Sequence, residues 1–528
     1  MSSIQQKQAY IGRPYTVVHG KEGKIVKFTL DKFNPVFIDF SSKKHTLIVS
    51  KSGGGKSYLA GVVAEELVRV MDNYCTVLVD PMGIFNTLGV ANNNMAELDK
   101  WNEQIPDDVI PGAIKCTVYV PAGDATNFLP GTYDKIFALR APEFSYSTFC
   151  YAFDLDALEP QVNLYRKAQA LLLRERGTYT LDELVAFVRE HGSEMKFQAQ
   201  TVEALVTKLE ALAGLGIIAK SAPEISEIIR DREVVVFDLS LSSNYVAKIL
   251  VSFLAEKIFM LRRQITRMIT KAKSGHVGAK LQRPWWYIPP VQLVIDEAHE
   301  YLPNNQSLRN VIKKGRNCGM MITAISQSPD LTKDLYANIS HVFVGPLIYD
   351  SDIAAMRAML PIEQGLKEFR AEMRSLVPGT FFYCNVDSKT FVKLKVRPRR
   401  TMHPATTELD DERKFFETPR PIVLDAGFPL VGVPDAQSYV AILRHDGELC
   451  RDQVCLVIYK HTQIGVARVT WVQRRPLDQI QPGMLVNRTG ASDLDGAIKM
   501  IHAAEPVKEG ELFSIVMLRW IERVTKGV

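Results

Sequence analysis

No stretch of the chain reaches the ~18 uninterrupted apolar residues of a membrane-spanning helix, which argues against a membrane-anchored conjugation motor. The polar start Met1-Ser-Ser-Ile-Gln-Gln-Lys-Gln8 lacks the apolar core of a secretory signal. Cysteine is scarce, with seven in 528 residues and no Cys-x-x-Cys pair. Cys450 and Cys455 lie close in sequence, yet no second pair or histidine cluster accompanies them. Neither a disulfide scaffold nor a zinc site is expected, and reduced thiols in a cytoplasmic protein are the economical reading. Charge of one sign is also missing, the formal net charge being only +5. A generally basic nucleic-acid coat is thereby excluded, so any DNA contact has to come from local patches. No long repeat or low-complexity tract is present.

What is present begins with Ser50-Lys51-Ser52-Gly53-Gly54-Gly55-Lys56-Ser57, directly after the apolar run His45–Val49. A helical pattern follows from Tyr58 to Met71, with Leu59, Val62, Val63 and Leu67 on one face. A buried strand that turns through glycines into a helix is a phosphate cradle. Glycines let backbone N–H groups turn inward around phosphate oxygens, and the helix N-terminus adds partial positive charge. In the GxxxxGK[ST] pattern, Ser52, Gly53, Gly54, Gly55 and Tyr58 flank the phosphates, Lys56 reaches the β- and γ-phosphates, and the Ser57 hydroxyl ligates Mg²⁺. Ser50 stands where the first glycine is usual. A Gly/Ser/Lys-rich surface turn is the alternative, and the flanking strand and helix speak against it. Binding of ATP with Mg²⁺ is predicted.

Apolar residues at 46% and charged residues at 23% describe a globular protein, and the length predicts about two or three domains. Residues 1–44 hold short β-like pieces, Tyr15–Val18, Lys24–Leu30 and Val36–Phe40. Further continuous apolar strands are expected at Cys75–Asp80, Glu233–Leu239, Val291–Asp296 and Met320–Ser326, interleaved with helical sequence. Such strands belong to a parallel sheet covered on both faces. The core predicted in this way spans 45–141 and 231–405. Residues 142–230 switch to helical spacing, as in Val202–Leu212, and form a helical insertion. A helix is expected from Val246 to about Arg263, and a flexible basic loop over 271–284. The stretch Thr406–Phe415 is linker-like. Residues 410–528 then make a separate β-rich domain, a barrel being one form open to it. Its strands are expected at Ser438–Leu443, Val454–Tyr459, Thr462–Gln473 and Met484–Asn487, with a short helix near Leu494–Ala503.

Several residues carry chemistry. Asp296 and Glu297 end the strand Val291–Ile295; a carboxylate there holds Mg²⁺ and its neighbour orients or activates the attacking water. Solvated acids at a capped strand end are the alternative. His299 either senses the γ-phosphate or simply packs. Gln327, at the end of Met320–Ser326, either touches water and γ-phosphate together or caps the strand. Arg316 is by itself an ordinary solvated arginine. Asp80 either supports the Mg²⁺ shell, contacts DNA or holds a turn, and Asp238 reads as structural.

In their order along the chain these pieces resemble the HerA branch of the HerA/FtsK ring translocases, over about residues 10–404. The resemblance rests on His45–Val49 with the P-loop, Val77-Leu-Val-Asp-Pro-Met-Gly83, and Val234-Val-Val-Phe-Asp-Leu-Ser240 followed by a helix ending near Arg263. It continues through Asp296-Glu-Ala-His-Glu-Tyr-Leu-Pro303, Gly315-Arg-Asn-Cys-Gly319 with Ser326-Gln-Ser-Pro329, and Leu376-Val-Pro-Gly379 with Val396–His403. Met82 and Ile84 depart from the family pattern, and residues 410–528 have no recognised counterpart. The fold class implied is α/β: a P-loop NTPase core of RecA-like (ASCE) type, with a helical insertion, a short N-terminal β segment and a C-terminal β-rich domain.

The resemblance further implies a homohexamer with ATP between subunits. Lys56 and Ser57 then bind ATP and Mg²⁺, Asp296 positions the metal, Glu297 activates water and Gln327 reports the γ-phosphate. Arg316 completes the neighbour's site as an arginine finger, worth ~10³–10⁵ in rate in other NTPases. Duplex DNA passes through the ring by phosphate contacts. The loop 271–284 is either a pore element or solvated, and Arg397, Arg399 and Arg400 either contact DNA or the adjacent subunit, or are solvated. The leading expectation is a cytoplasmic DNA translocase or helicase acting with a nuclease of the NurA kind, or another effector, in DNA end processing or antiviral defence. A packaging or transfer motor of a virus or mobile element is the second reading, and an ATP-gated scaffold for a toxic enzyme the third.

Overall fold

The computed structural model describes residues 8–19, 25–40, 44–106, 108–129, 131–274 and 283–404, and five strands beyond them. The chain divides into two compact units, Met1–Pro404 and Ala405–Val528. In the first, three strands come before the P-loop: β1 (Gln8–His19), β2 (Ile25–Leu30) and β3 (Val36–Asp39). Then follow β4 (His45–Val49), β5 (Cys75–Asp80), β6 (Cys116–Pro121), β7 (Lys135–Phe137) and β8 (Glu233–Asp238). The unit is completed by β9 (Val291–Ile295), β10 (Met320–Ser326), β11 (Ile339–Val344), β12 (Thr380–Asn385) and β13 (Thr390–Val396).

All 13 join one sheet in the order β2-β1-β13-β12-β11-β4-β10-β9-β5-β8-β6-β7, with β3 on β1. From β11 to β7 every pairing is parallel, and the flank through β12, β13, β1, β2 and β3 is antiparallel. The N-terminal β pieces are present as strands, and β1 continues the main sheet through β13. The continuous apolar strands have the predicted cause, because β4, β5, β8, β9 and β10 are buried at every position. Separate apolar clusters built from alternate strand residues, such as Val77 and Val79 against Leu78, cover the two faces.

Order in the sheet positions the chemistry. β10 lies between the P-loop strand β4 and the strand β9 that ends at Asp296, so three strand ends adjoin. His45 fastens the opposite ends: its Nδ1 accepts from Ile322 N–H (2.9 Å), and Nε2 donates to Ile312 O (3.0 Å). Burial holds this imidazole neutral, with its pKa pushed down to about 4.

Between β7 and β8 the chain forms helices Tyr146–Ala152, Pro160–Arg176, Leu181–His191 and Ala199–Gly214. Their apolar faces merge with the core beneath. Glu256, on the helix Asn244–Lys273, accepts from Ser145 Oγ (2.5 Å) and Ser147 Oγ (2.7 Å) and so ties the first of them down. That long helix exceeds its predicted end near Arg263 and takes in Lys271 and Lys273 of the basic loop expected over 271–284; residues 275–282 lie outside the described residues, and Arg283 pairs with Asp231 (3.1 Å).

In the second unit the strands Arg420–Leu424, Ser438–Arg444, Val454–Tyr459, Thr462–Pro476 and Leu512–Arg523 form one five-stranded sheet. The first and second of these are its two edges, and no pairing among the described residues closes them into a barrel. The linker Thr406–Phe415, the strand expected at Met484–Asn487 and the helix near Leu494–Ala503 lie outside the described residues.

Candidate functional site

β4 opens into the P-loop, and the helix Lys56–Val70 closes it. Ser50 is fully buried; its N–H donates to Ser326 O (3.2 Å) and its Oγ to Pro346 O (3.1 Å), which pins the loop to the ends of β10 and β11. This accounts for serine in a glycine's usual place. Its hydroxyl fills space that glycines opposite leave open, since a Cβ would stand 1.9 Å from Ser50 Oγ at Gly54 and 2.6 Å from it at Gly345. Gly53 and Gly55 adopt φ of +69° and +97°, open to glycine at little cost. Behind the loop, Gly379 N–H donates to Gly54 O (3.0 Å). No side chain caps the helix start, which leaves first-turn N–H groups for an anion.

Lys56 is 7% exposed, and its Nζ donates to Lys51 O (3.2 Å). Burial lowers its pKa below the usual lysine value, against the pull of Glu297 and Asp296. Ser57 Oγ donates to Asp296 Oδ2 (3.0 Å), and Asp296 Oδ1 accepts from Glu297 N–H (2.9 Å). Burial pushes the Asp296 carboxyl up to about 6. Glu297 sits in the left-handed region (φ +48°), uncommon for a residue with a side chain. The turn it makes brings its carboxylate to Gln327, whose Nε2 donates to Glu297 Oε1 (2.8 Å). His299 Nδ1 stands 3.4 Å from Glu297 Oε2. Lys56, Ser57, Asp296, Glu297, His299 and Gln327 thus gather at the ends of β4, β9 and β10.

Other residues lie elsewhere. Ser52 is exposed on the loop. Tyr58 directs its hydroxyl away from the cradle, donating to Glu97 Oε1 (2.8 Å) and accepting from Arg399 N–H (2.7 Å). Arg316 is exposed near the end of the helix Gln306–Cys318, which delivers the chain to the start of β10. It therefore occupies the sheet edge opposite its own P-loop. Asp80 and Asp238 are in register on adjacent strands, and both serve turns. Asp80 accepts from the N–H of Met82 (3.3 Å) and Phe85 (2.8 Å), and Asp238 from Ser240 Oγ (2.6 Å). Burial, with Asp238 and Asp296 nearby, raises the Asp80 pKa to about 7.

The arginines after β13 correct an expectation. Arg397 and Arg399 are fully buried, neither solvated nor open to DNA. Arg397 Nη1 pairs with Glu65 Oε2 (2.9 Å) and Nη2 with Glu66 Oε1 (3.0 Å), both on the P-loop helix. Arg400 N–H donates to Glu65 Oε2 (3.1 Å). Glu65 and Glu66 occupy the helix face that local periodicity gives to apolar residues, and the one advance signal was that position. Gly345 and Gly379, which shape and back the loop, carried no motif of their own.

Residues 23–258 match the family model described as the central domain of helicase HerA. No curated protein matches the chain. Among solved structures, VirB4 of Thermoanaerobacter pseudethanolicus is 13% identical with a TM-score of 0.42, covering 73% of this chain and 95% of its own. The bacterial conjugative coupling protein TrwB, solved also with ADP and Mg²⁺, is 14% identical with a TM-score of 0.46, covering 76% and 98%. The genome packaging NTPase B204 from Sulfolobus turreted icosahedral virus 2 is 11% identical with a TM-score of 0.29, covering 67% and 98%. With the P-loop and the strand-end carboxylates in place, the first unit has the fold of a P-loop NTPase, and residues 23–258 are similar to the central domain of helicase HerA.

Proposed function

We propose that this protein hydrolyses ATP and uses the cycle to move duplex DNA through a homohexameric ring. The observation that carries the reading is the junction of two contacts, Ser57 Oγ to Asp296 Oδ2 at 3.0 Å and Gln327 Nε2 to Glu297 Oε1 at 2.8 Å. The first sets a hydroxyl and a carboxylate oxygen side by side. These are hard oxygen donors of the kind Mg²⁺ takes when substrate phosphates complete its shell. Ser57 and Asp296 would hold Mg²⁺ there, and the ion would supply charge neutralisation to the substrate phosphates.

The remaining work falls to the chain's own side chains. Lys56 exchanges its bond to Lys51 O for the β- and γ-phosphates. Glu297 accepts a proton from the attacking water, and Gln327 leaves Glu297 to contact water and γ-phosphate. Arg316, far from its own P-loop, completes the site of an adjacent subunit as the finger. The HerA-type central domain supports the translocase reading, with a nuclease or other effector as the partner that acts on the DNA. Among the described residues no helix is long and apolar enough to cross a membrane.

ATP hydrolysis measured with and without linear duplex DNA, beside Lys56→Ala and Glu297→Gln, tests the proposal. Strong stimulation by DNA that both substitutions abolish is the expected outcome. Hydrolysis indifferent to DNA would move the reading to an ATP-gated scaffold, and an inactive wild type would remove the catalytic roles.

A further inference from the structure

From Lys257 to Ile295 the sequence has no acidic residue and eight lysines or arginines. The first part of this stretch is the end of the helix Asn244–Lys273. At 30 residues that helix is about 45 Å long. The strands β8, β9 and β10 beneath it have only five to seven residues, or about 17–23 Å. The helix starts at the end of the sheet that carries the P-loop cluster, so it outruns the other edge. Arg262 marks the crossing. Its buried guanidinium donates to Cys318 O (Nε, 2.9 Å) and Ile288 O (Nη1, 2.7 Å), shortly before β10 and β9 begin.

Ile265 is still buried and Thr266 Oγ1 donates to Cys318 O (3.5 Å), so the helix overhangs the sheet from about residue 267 onward. Arg263, Arg267 and Lys271 follow one another at four-residue steps along one side of this helix end, the first beside the sheet edge and the others beyond it, and all three are exposed. Among the described residues no carboxylate pairs with any of them, whereas Arg283 at the same edge is held by Asp231 (3.1 Å). Arg263 lies over the ring of Phe259, 5.5 Å from its centre, which leaves its outer N–H groups open. Each step is about 6 Å along the helix, close to two nucleotide steps of a DNA strand at about 3.4 Å each.

We infer that this helix end is a docking arm for the phosphate backbone of duplex DNA, with Arg263, Arg267 and Lys271 as its contacts. The inference rests on the DNA-motor reading and names where the polymer is held. An evenly spaced row of unpaired cations suits a repeating polyanion and reads no sequence. The three side chains belong to neither the P-loop nor the strand-end carboxylates, and because Arg316 stands at the same edge, DNA-free hydrolysis reports whether the finger is disturbed.

Full-length wild type and the triple variant R263Q/R267Q/K271Q are titrated against a labelled linear duplex at several salt concentrations, with DNA-free ATP hydrolysis followed in parallel. The expected result is at least a ~10-fold weaker affinity and a log–log salt slope shallower by about 2.7, because three phosphates keep their counterions. The charge-preserving variant R263K/R267K/K271R should bind like wild type, which separates charge from folding. If wild type binds the duplex and the glutamine variant matches its affinity and slope, the arm is refuted while the motor reading stands. If wild type binds no duplex, both fall. Capture of polyglutamate in preference to duplex would also overturn the assignment, in favour of an acidic protein surface.

Discussion

Two side chains around the phosphate cradle, Ser50 and Gln327, show how narrow its tolerances are. Ser50 fits only because Gly54 and Gly345 leave room for its hydroxyl. Gly54→Ala drives a Cβ into that hydroxyl and should weaken ATP binding by at least ~10-fold, within the range of small-to-large replacements in tight packing. Adding Ser50→Gly should recover part of the loss in a fluorescent-nucleotide titration; no recovery would refute the steric account. Gln327 makes a second point. Gln327→Glu keeps the shape but faces Glu297 with a like charge, which raises a neighbouring carboxyl's pKa. The expected outcome is a fall in kcat of ~10-fold or more with nucleotide affinity nearly unchanged, and an acid limb of the pH–rate profile moved upward. A kcat equal to wild type would mean that Glu297 is not the base.

Among elements, the P-loop helix and the segment after β13 behave as one piece. Glu65 and Glu66 face the sheet side of the helix and are 1% and 0% exposed, so their charges have no recourse to water. Arg397 satisfies both, and donates also to Tyr10 O (3.1 Å), joining helix, β1 and the chain after β13. Gly61 permits this approach, since a Cβ there would meet the Arg399 guanidinium at 2.8 Å. Arg397→Met removes the cation shared by two buried carboxylates, leaving Glu66 its pair with Arg69 (2.6 Å) and Glu65 its bonds from Thr401, and should cost about 3 kcal/mol in the unfolding of the first unit. Urea denaturation followed by tryptophan fluorescence measures it, and a loss under ~1 kcal/mol would show that the glutamates find other partners.

For the molecule as a whole, buried histidines predict sensitivity to acid. His45 and His341 are nearly inaccessible, and burial pushes both pKa values down to about 4 from an ordinary 6.5. The unfolded chain takes up protons below about 6.5 that the fold refuses until about 4, so stability falls as pH drops through that window. Each such histidine contributes at most about 3 kcal/mol of the loss. Asp80 and Asp296 act in the opposite sense: raised to about 7 and about 6, they hold protons in the fold and weaken it as pH rises above 4. His341→Phe isolates one part. Whatever its offset at neutral pH from the lost Tyr383 contact (2.9 Å), its stability should fall less than that of wild type between pH 6.5 and 4. Parallel pH profiles for the two proteins would contradict the assignment.

Much of the P-loop unit was legible in the chain because its signals are local. An apolar run, three glycines and a helical repeat suffice for a P-loop, and continuous apolar strands with helices between them suffice for a covered parallel sheet. Strand-end carboxylates at Asp296 and Glu297 follow from the same reading. Contacts between distant segments escaped it. Arg397 and Glu66 are 331 positions apart, and nothing in either neighbourhood distinguishes a buried ion pair from a solvated charge run. The Gln327–Glu297 contact depends on β10 lying between β4 and β9, a matter of strand order rather than of local pattern. Residue types and short-range periodicity determined the chemistry available to this protein. Which charges meet, and which strand ends adjoin, only the tertiary structure decided, because burial and partner choice are properties of the packed sheet.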